Sequence, residues 1–241
     1  MTTDDRSRTP APPRGKPRKK SFLSELPGIV LTALVISVLI KTFLVQAFYI
    51  PSGSMENTLL VNDRVLVNKL ADKSDEIRRG DVVVFRDPGG WLNGPGVSGG
   101  SRGVRGLVRD ALVFVGLAPA VGEEDLIKRV IGVGGDTVAC CDDGRLTVND
   151  VALDEPYIFS GDDASLETFS AKVPSGKLWV MGDHRSVSED SRAHRGLPGK
   201  GYVPVSDVIG RAFTIVWPLD RGQLLSRPKT FEQPALSRAT P

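Results

Sequence analysis

The stretch Ile50-Pro51-Ser52-Gly53-Ser54-Met55, followed closely by Thr58-Leu59, decides how this chain is read. It sets two serine hydroxyls on either side of a glycine, just after a long apolar run and just before sequence with β character. A serine hydroxyl is a poor nucleophile at neutral pH and needs an adjacent base. Ser54 is the candidate nucleophile, and the remaining sequence is searched for the group that activates it.

Upstream, residues 1–20 are rich in Pro, Arg, Lys, Ser and Thr and have no apolar period. Such a segment buries too little surface to offset its ordering entropy, so residues 1–26 are expected to form a disordered basic tail. The composition then inverts. Ile29 to Ile40 is apolar apart from Thr32 and Ser37, Lys41 interrupts, and Thr42 to Tyr49 is again mostly apolar. Roughly 20 helical residues cross a hydrocarbon core, so 27–49 reads as a transmembrane anchor. The Arg14–Lys20 cluster puts the amino end in the cytoplasm and everything after residue 50 outside. Lys41 is costly at mid-bilayer but lies in the outer half, where its side chain can snorkel. The alternative, a cleaved secretory signal ending at Val45-Gln46-Ala47, fits less well because the run exceeds the usual 7–15 residue core of such signals. On this reading Ser54 lies about five residues past the span, within roughly 17 Å of it.

Of the 31 basic and 29 acidic residues, seven and three fall in residues 1–28, leaving 24 and 26 for the body. The body is slightly acidic, which excludes a nucleic-acid surface spread over it. Cys140 and Cys141 have neither metal-ligand spacing nor a disulfide framework and read as a pair of strand residues.

Downstream of Ser54 the pattern alternates. Val61–Leu70, Asp81–Phe85, Leu126–Val133, Thr137–Cys141, Leu146–Val148, Val151–Ile158, Phe169–Val173, Lys177–Met181 and Val208–Trp217 read as strands separated by turn signals. Residues 87–106 hold eight glycines and two prolines and read as a loop or insertion, with a short helix at Leu107–Val121. The fold expected for residues 50–220 is mainly antiparallel β, with a loose tail from 221 to 241.

Two classes of base are available. His184 and His194 are the chain's only histidines, and they lie in a polar stretch from which a Ser-His-Asp site can be assembled. The other solution is a lysine desolvated until its amine is neutral, because burial disfavours the ammonium. Lys128, between Leu126-Ile127 and Val130-Ile131, fits that role. Its structural reading is an outward-facing strand lysine beside Arg129. A third cluster, Gly182-Asp183-His184-Arg185-Ser186-Val187-Ser188-Glu189-Asp190-Ser191-Arg192, offers Ser188 to orient an amine and Asp183, Arg185, Asp190 and Arg192 to pair with one another.

Together these segments resemble the type I signal peptidases of bacteria, membrane-bound Ser–Lys endopeptidases that remove signal peptides from exported proteins. The likeness runs from the apolar span to Trp217. It rests on Ile50–Leu59, Gly80-Asp81-Val82-Val83, Lys128–Gly132 with Gly135-Asp136, and Gly182–Arg185 with Ser188, Asp190, Ser191 and Arg192. The resemblance implies Ser54 as nucleophile, Lys128 as general base, the Ser52 hydroxyl and Ser54 N–H as oxyanion hole, and Ser188 as the lysine's partner. It also implies that Ile50, Leu59, Leu126 and Ile127 line shallow pockets for small side chains at the first and third positions before the cut. The expected partners are signal-peptide-bearing preproteins and the lipid bilayer, without metal or cofactor. His184 and Ser186 depart from the family's usual asparagine and acidic residue. Two rivals stand beside this reading: a self-cleaving repressor-type peptidase, for which the first 28 residues are too short, and a membrane-tethered β module that binds exported proteins without catalysis.

Overall fold

The computed structural model describes residues 22–72, 77–92 and 125–238. Residues 1–21 of the tail expected to be disordered, and most of the Gly-rich insertion, including the helix expected at Leu107–Val121, lie outside these residues; residues 22–26 of that expected tail are instead the first turns of a helix. The chain divides into two units, residues 1–36 and 37–241.

The first unit holds most of α1 (Phe22–Phe43), with Pro27 inside the helix. Its residues from Ile29 to Leu31 and from Leu34 to Ile36 are exposed. Among the described residues, no helix is long and apolar enough to cross a membrane. The expected span also ends earlier than the sequence implied. Helix α1 stops at Phe43, and Val45–Tyr49 forms β1. The same run of apolar residues serves two structures, because hydropathy alone does not separate a helix end from a buried strand start. The Val45-Gln46-Ala47 segment is therefore sheet, and the short tether from helix to Ser54 does not hold.

The second unit is built on two antiparallel sheets. The larger is formed by β1, β2 (Arg64–Asn68), β3 (Val82–Arg86), β4 (Asp125–Val133), β9 (Lys177–Met181), β10 (Val203–Pro204), β11 (Val208–Trp217) and β12 (Gln223–Leu224). Its order is β1-β2-β11-β3-β4-β9-β10, with β12 beside β11. The smaller is formed by β5 (Thr137–Asp142), β6 (Arg145–Val148), β7 (Val151–Ala152) and β8 (Phe169–Lys172), in the order β7-β6-β5-β8. Side chains of a strand alternate between faces. Val82 and Val84 accordingly join Phe48, Ile50, Met55, Leu59, Val65 and Val67 in one core cluster, whereas Val83 and Phe85 join Val130, Leu178, Val180 and Val208 in another. A third cluster runs from Ile131 and Trp179 through Val138, Leu146 and Val148 of the smaller sheet.

Two further expectations are corrected. The C-terminal segment is not a loose tail. Arg227 reaches Asp81 through both carboxylate oxygens, and Phe231 and Leu236 are buried, the latter in α2 (Pro234–Arg238). The Phe231 ring lies over Gly80, whose φ of +86° and lack of a Cβ admit it; a Cβ there would fall 2.7 Å from the ring. Single apolar residues in a polar context carry no periodic signal, which is why this docking was not legible. Cys140 and Cys141 are joined to each other by a disulfide rather than lying as two independent thiols.

Candidate active site

Ser54 sits on a single 3₁₀ turn, Gly53–Met55, that follows β1. The turn is pinned from below by Met55 and Leu59, both fully buried, whose sequence spacing is closed by the Leu59 N–H donating to the Met55 carbonyl at 2.8 Å. From the side it is held by the His184 N–H, which donates to the Ser54 carbonyl at 3.2 Å. Lys128 comes from the middle of β4, where it pairs in register with Val83 of β3. Its amine lies 2.7 Å from the Ser54 hydroxyl oxygen, within hydrogen-bond distance, across 74 residues of sequence. Lys128 is only 3% exposed. Burial lowers its pKa from 10.5 to about 8, against the opposing pull of the Asp190, Asp183 and Glu189 carboxylates.

The other expected residues fall into three groups. Ser52 is exposed, with its hydroxyl 3.4 Å from that of Ser54. The Ser188 hydroxyl is buried and, among the described atoms, has no hydrogen-bond partner; it therefore does not bond to Lys128 here. It lies against Gly182, where a Cβ would fall 2.2 Å from it and 2.4 Å from the Ser54 carbonyl oxygen. Of the apolar residues, Ile50, Leu59 and Ile127 share the core cluster under the serine turn, but Leu126 packs with the cluster on the opposite side of the sheet.

The carboxylates and guanidinium groups of the 182–192 loop do not pair simply with one another. Asp183 accepts two hydrogen bonds from Arg129, at 2.8 and 2.6 Å, and one from the Thr58 hydroxyl. Arg185 instead pairs with Glu155 at 2.5 and 3.0 Å. Only Asp190 and Arg192 pair within the loop, at 2.8 and 2.9 Å. Burial raises the Asp190 pKa, but Arg192 and the Gly182 N–H outweigh it and hold the carboxyl below its usual range. The two histidines take no part in a Ser-His-Asp arrangement. His184 stacks on Phe159 with 3.9 Å between ring centroids and has Nδ1 3.2 Å from a Glu56 carboxylate oxygen, while His194 stacks on Trp91 at 4.3 Å. Arg129, Thr58, Glu155 and Tyr157 are site residues that sequence reasoning missed. Arg129 was legible as a neighbour of Lys128, but nothing in the sequence ties Glu155 or Tyr157 to it.

What this arrangement can do chemically is narrow. A buried amine that is partly neutral near pH 8 can take the proton of an alcohol 2.7 Å away. The chain is also similar to known proteins. A family model described as signal peptidase, peptidase S26, matches residues 23–217. Signal peptidase I of Mycobacterium tuberculosis (strain H37Rv) is 42% identical over 226 residues, covering 86% of this chain and 76% of its own. Signal peptidase I of Leptolyngbya laminosa is 34% identical, covering 96% and 100%. A crystal structure of a signal peptidase I from Enterococcus faecalis V583 is a remoter likeness, at 24% identity and a TM-score of 0.35, covering 56% of this chain and 95% of that one. With a family model spanning most of its length and relatives well above 30% identity, the chain belongs to the signal peptidase family, peptidase S26.

Proposed function

We propose that this peptidase cleaves signal peptides from exported preproteins with a Ser54–Lys128 dyad. The observation that carries the reading is the 2.7 Å approach of a desolvated lysine amine to a serine hydroxyl. With a pKa of about 8, roughly one amine in ten is neutral at pH 7. The neutral amine accepts the Ser54 proton as the oxygen attacks the scissile carbonyl. The resulting oxyanion is received by the Ser54 N–H and the Ser52 hydroxyl; one such donor is typically worth about 3–4 kcal/mol of barrier. The ammonium of Lys128 then protonates the departing amine. The regenerated amine activates the water that hydrolyses the acyl-enzyme. Ser188, with a buried hydroxyl whose bonding capacity is unused, is the proposed partner for the neutral amine.

Substrate is read as an added strand. β4 bonds to β3 along Asp125–Arg129, but to β9 only from Arg129 onward. An extended peptide fits the other edge at Leu126–Lys128, ending at the dyad, with alternate side chains directed into pockets. Ile50, Leu59 and Ile127 floor the pocket for a small residue, and Leu126 takes part through its backbone edge. The apolar composition of Ile29–Ile40 and the basic cluster before it support a single-pass anchor with the catalytic unit outside the cell membrane.

Purified full-length chain in detergent, given a precursor with alanine at the first and third positions before the cut, tests the reading. Ser54→Ala and Lys128→Ala each abolish processing. Wild-type kcat/KM rises with pH to a midpoint near 8. Full activity in Lys128→Ala overturns the dyad.

A further inference from the structure

Residues 154–165 carry none of the recognised motifs, yet they contact the serine segment at Asn57, β4 at Arg129 and the 182–192 loop. Asn57, three residues beyond Ser54, has φ of +82° and donates its side-chain amide to the Tyr157 and Ile158 carbonyls at 3.0 Å each. The Tyr157 ring lies under the guanidinium of Arg129, the residue next to Lys128, at 4.4 Å. That same guanidinium donates to Thr58 and Asp183. The Tyr157 hydroxyl donates to Glu155, which in turn holds Arg185. Two residues further on, the Phe159 N–H donates to the Asp183 carbonyl at 2.8 Å, and the Phe159 ring stacks on His184.

Tyr157 is thus a joint. Its carbonyl holds the strand-to-turn segment that bears Ser54, and its ring carries the side chain following Lys128. Both attachments are directional. The amide of Asn57 fixes the turn along the backbone of 157–158, and cation–π packing of Arg129 fixes the height of β4 against it. Neither half of the dyad reaches the other through pairing of β2 with β4, because β11 and β3 lie between them in the sheet. The joint is a shorter connection.

We propose that Asn57 and Tyr157 are positioning residues for the reaction: they set the distance between the Ser54 hydroxyl and the Lys128 amine without touching substrate. The proposal rests on the dyad reading above. It accounts for a left-handed Asn at a surface position, and for a buried tyrosine whose hydroxyl and carbonyl are both spent on connections between motifs.

The test uses the full-length chain in detergent and two variants. Asn57→Gly keeps access to positive φ but loses both amide hydrogen bonds, and its exposed side chain leaves no buried donor behind. Tyr157→Leu removes the ring beneath Arg129 but leaves the carbonyl that Asn57 uses. A 1 Å misplacement of reacting groups costs about 100-fold. For a loosened turn, the expected loss in kcat is about tenfold per variant, with KM within about twofold, measured per folded site. Water admitted to Lys128 relieves its desolvation, so the midpoint of the pH–rate profile moves upward from near 8 in both variants. Wild-type kcat and an unmoved midpoint in folded Asn57→Gly overturn the proposal, whatever its thermal stability. If that variant does not fold, the same two readouts on Tyr157→Leu decide it. Activity in Lys128→Ala, by contrast, removes the dyad reading itself, so the two failures are separate.

Discussion

Replacing Lys128 with methionine is expected to destroy the enzyme and stabilise the protein. The amine is lowered from 10.5 to about 8 chiefly by burial, so its protonated form is penalised in the fold by about 3 kcal/mol at pH 7, at 1.36 kcal/mol per pH unit. Methionine has similar length and no charge, so Lys128→Met removes that penalty. It also removes the hydrogen bond to Ser54, worth about 1 kcal/mol. The net gain is about 2 kcal/mol at pH 7, or a urea midpoint higher by about 1 M at a slope of 1–3 kcal/mol/M. The sign reverses with pH. The folded amine gives up its proton before the unfolded one, so between about pH 8 and 10.5 the unfolded chain binds more protons and wild-type stability rises with pH. The advantage of Lys128→Met closes across that window and turns into a deficit of about one hydrogen bond above it. Urea titrations of both proteins in the same detergent at pH 7, 9 and 10.5, followed by tryptophan fluorescence, give the result directly. A variant less stable than wild type at pH 7, or a gap that does not narrow by pH 10.5, refutes the claim that the amine is held desolvated.

Two other outcomes follow from close packing. Gly182→Ala puts a methyl 2.2 Å from the Ser188 hydroxyl and 2.4 Å from the Ser54 carbonyl, so kcat falls by about 100-fold or more while circular dichroism keeps its β signature. Phe231→Ala uncovers Gly80 and the third core cluster and lowers stability by about 3 kcal/mol, read as a lower urea midpoint, with kcat per folded site little changed.

The strands were legible wherever an alternating run was bounded by turn residues. Lys177–Met181 and Val208–Trp217 have the bounds the pattern gives them. Val45–Tyr49 was not, because no turn-favouring residue separates its apolar residues from Phe43 at the end of α1. The Val151–Ile158 run overreached: only Val151–Ala152 pairs, and the remainder turns away to carry Glu155 and Tyr157 to the site. Of the candidate site, Ser54, Lys128 and the acid–base loop at 182–192 stood out because hydroxyl, amine and carboxylate residues are clustered there against apolar surroundings. Their partners did not. Arg185 was matched with its own loop, yet Glu155 competes for it from 30 residues away. Such choices depend on which side chains the folded sheets bring within reach, and local composition does not encode them.

The position of β11 has a consequence for biogenesis. The hairpin of β1 and β2 that bears Ser54 on its connection and the pair β3 and β4 that bears Lys128 are joined in the larger sheet only through residues 208–217, which pair with β2 on one side and β3 on the other. A nascent polypeptide that already contains Ser54 and Lys128 therefore lacks this sheet connection between them until residues 208–217 have been made.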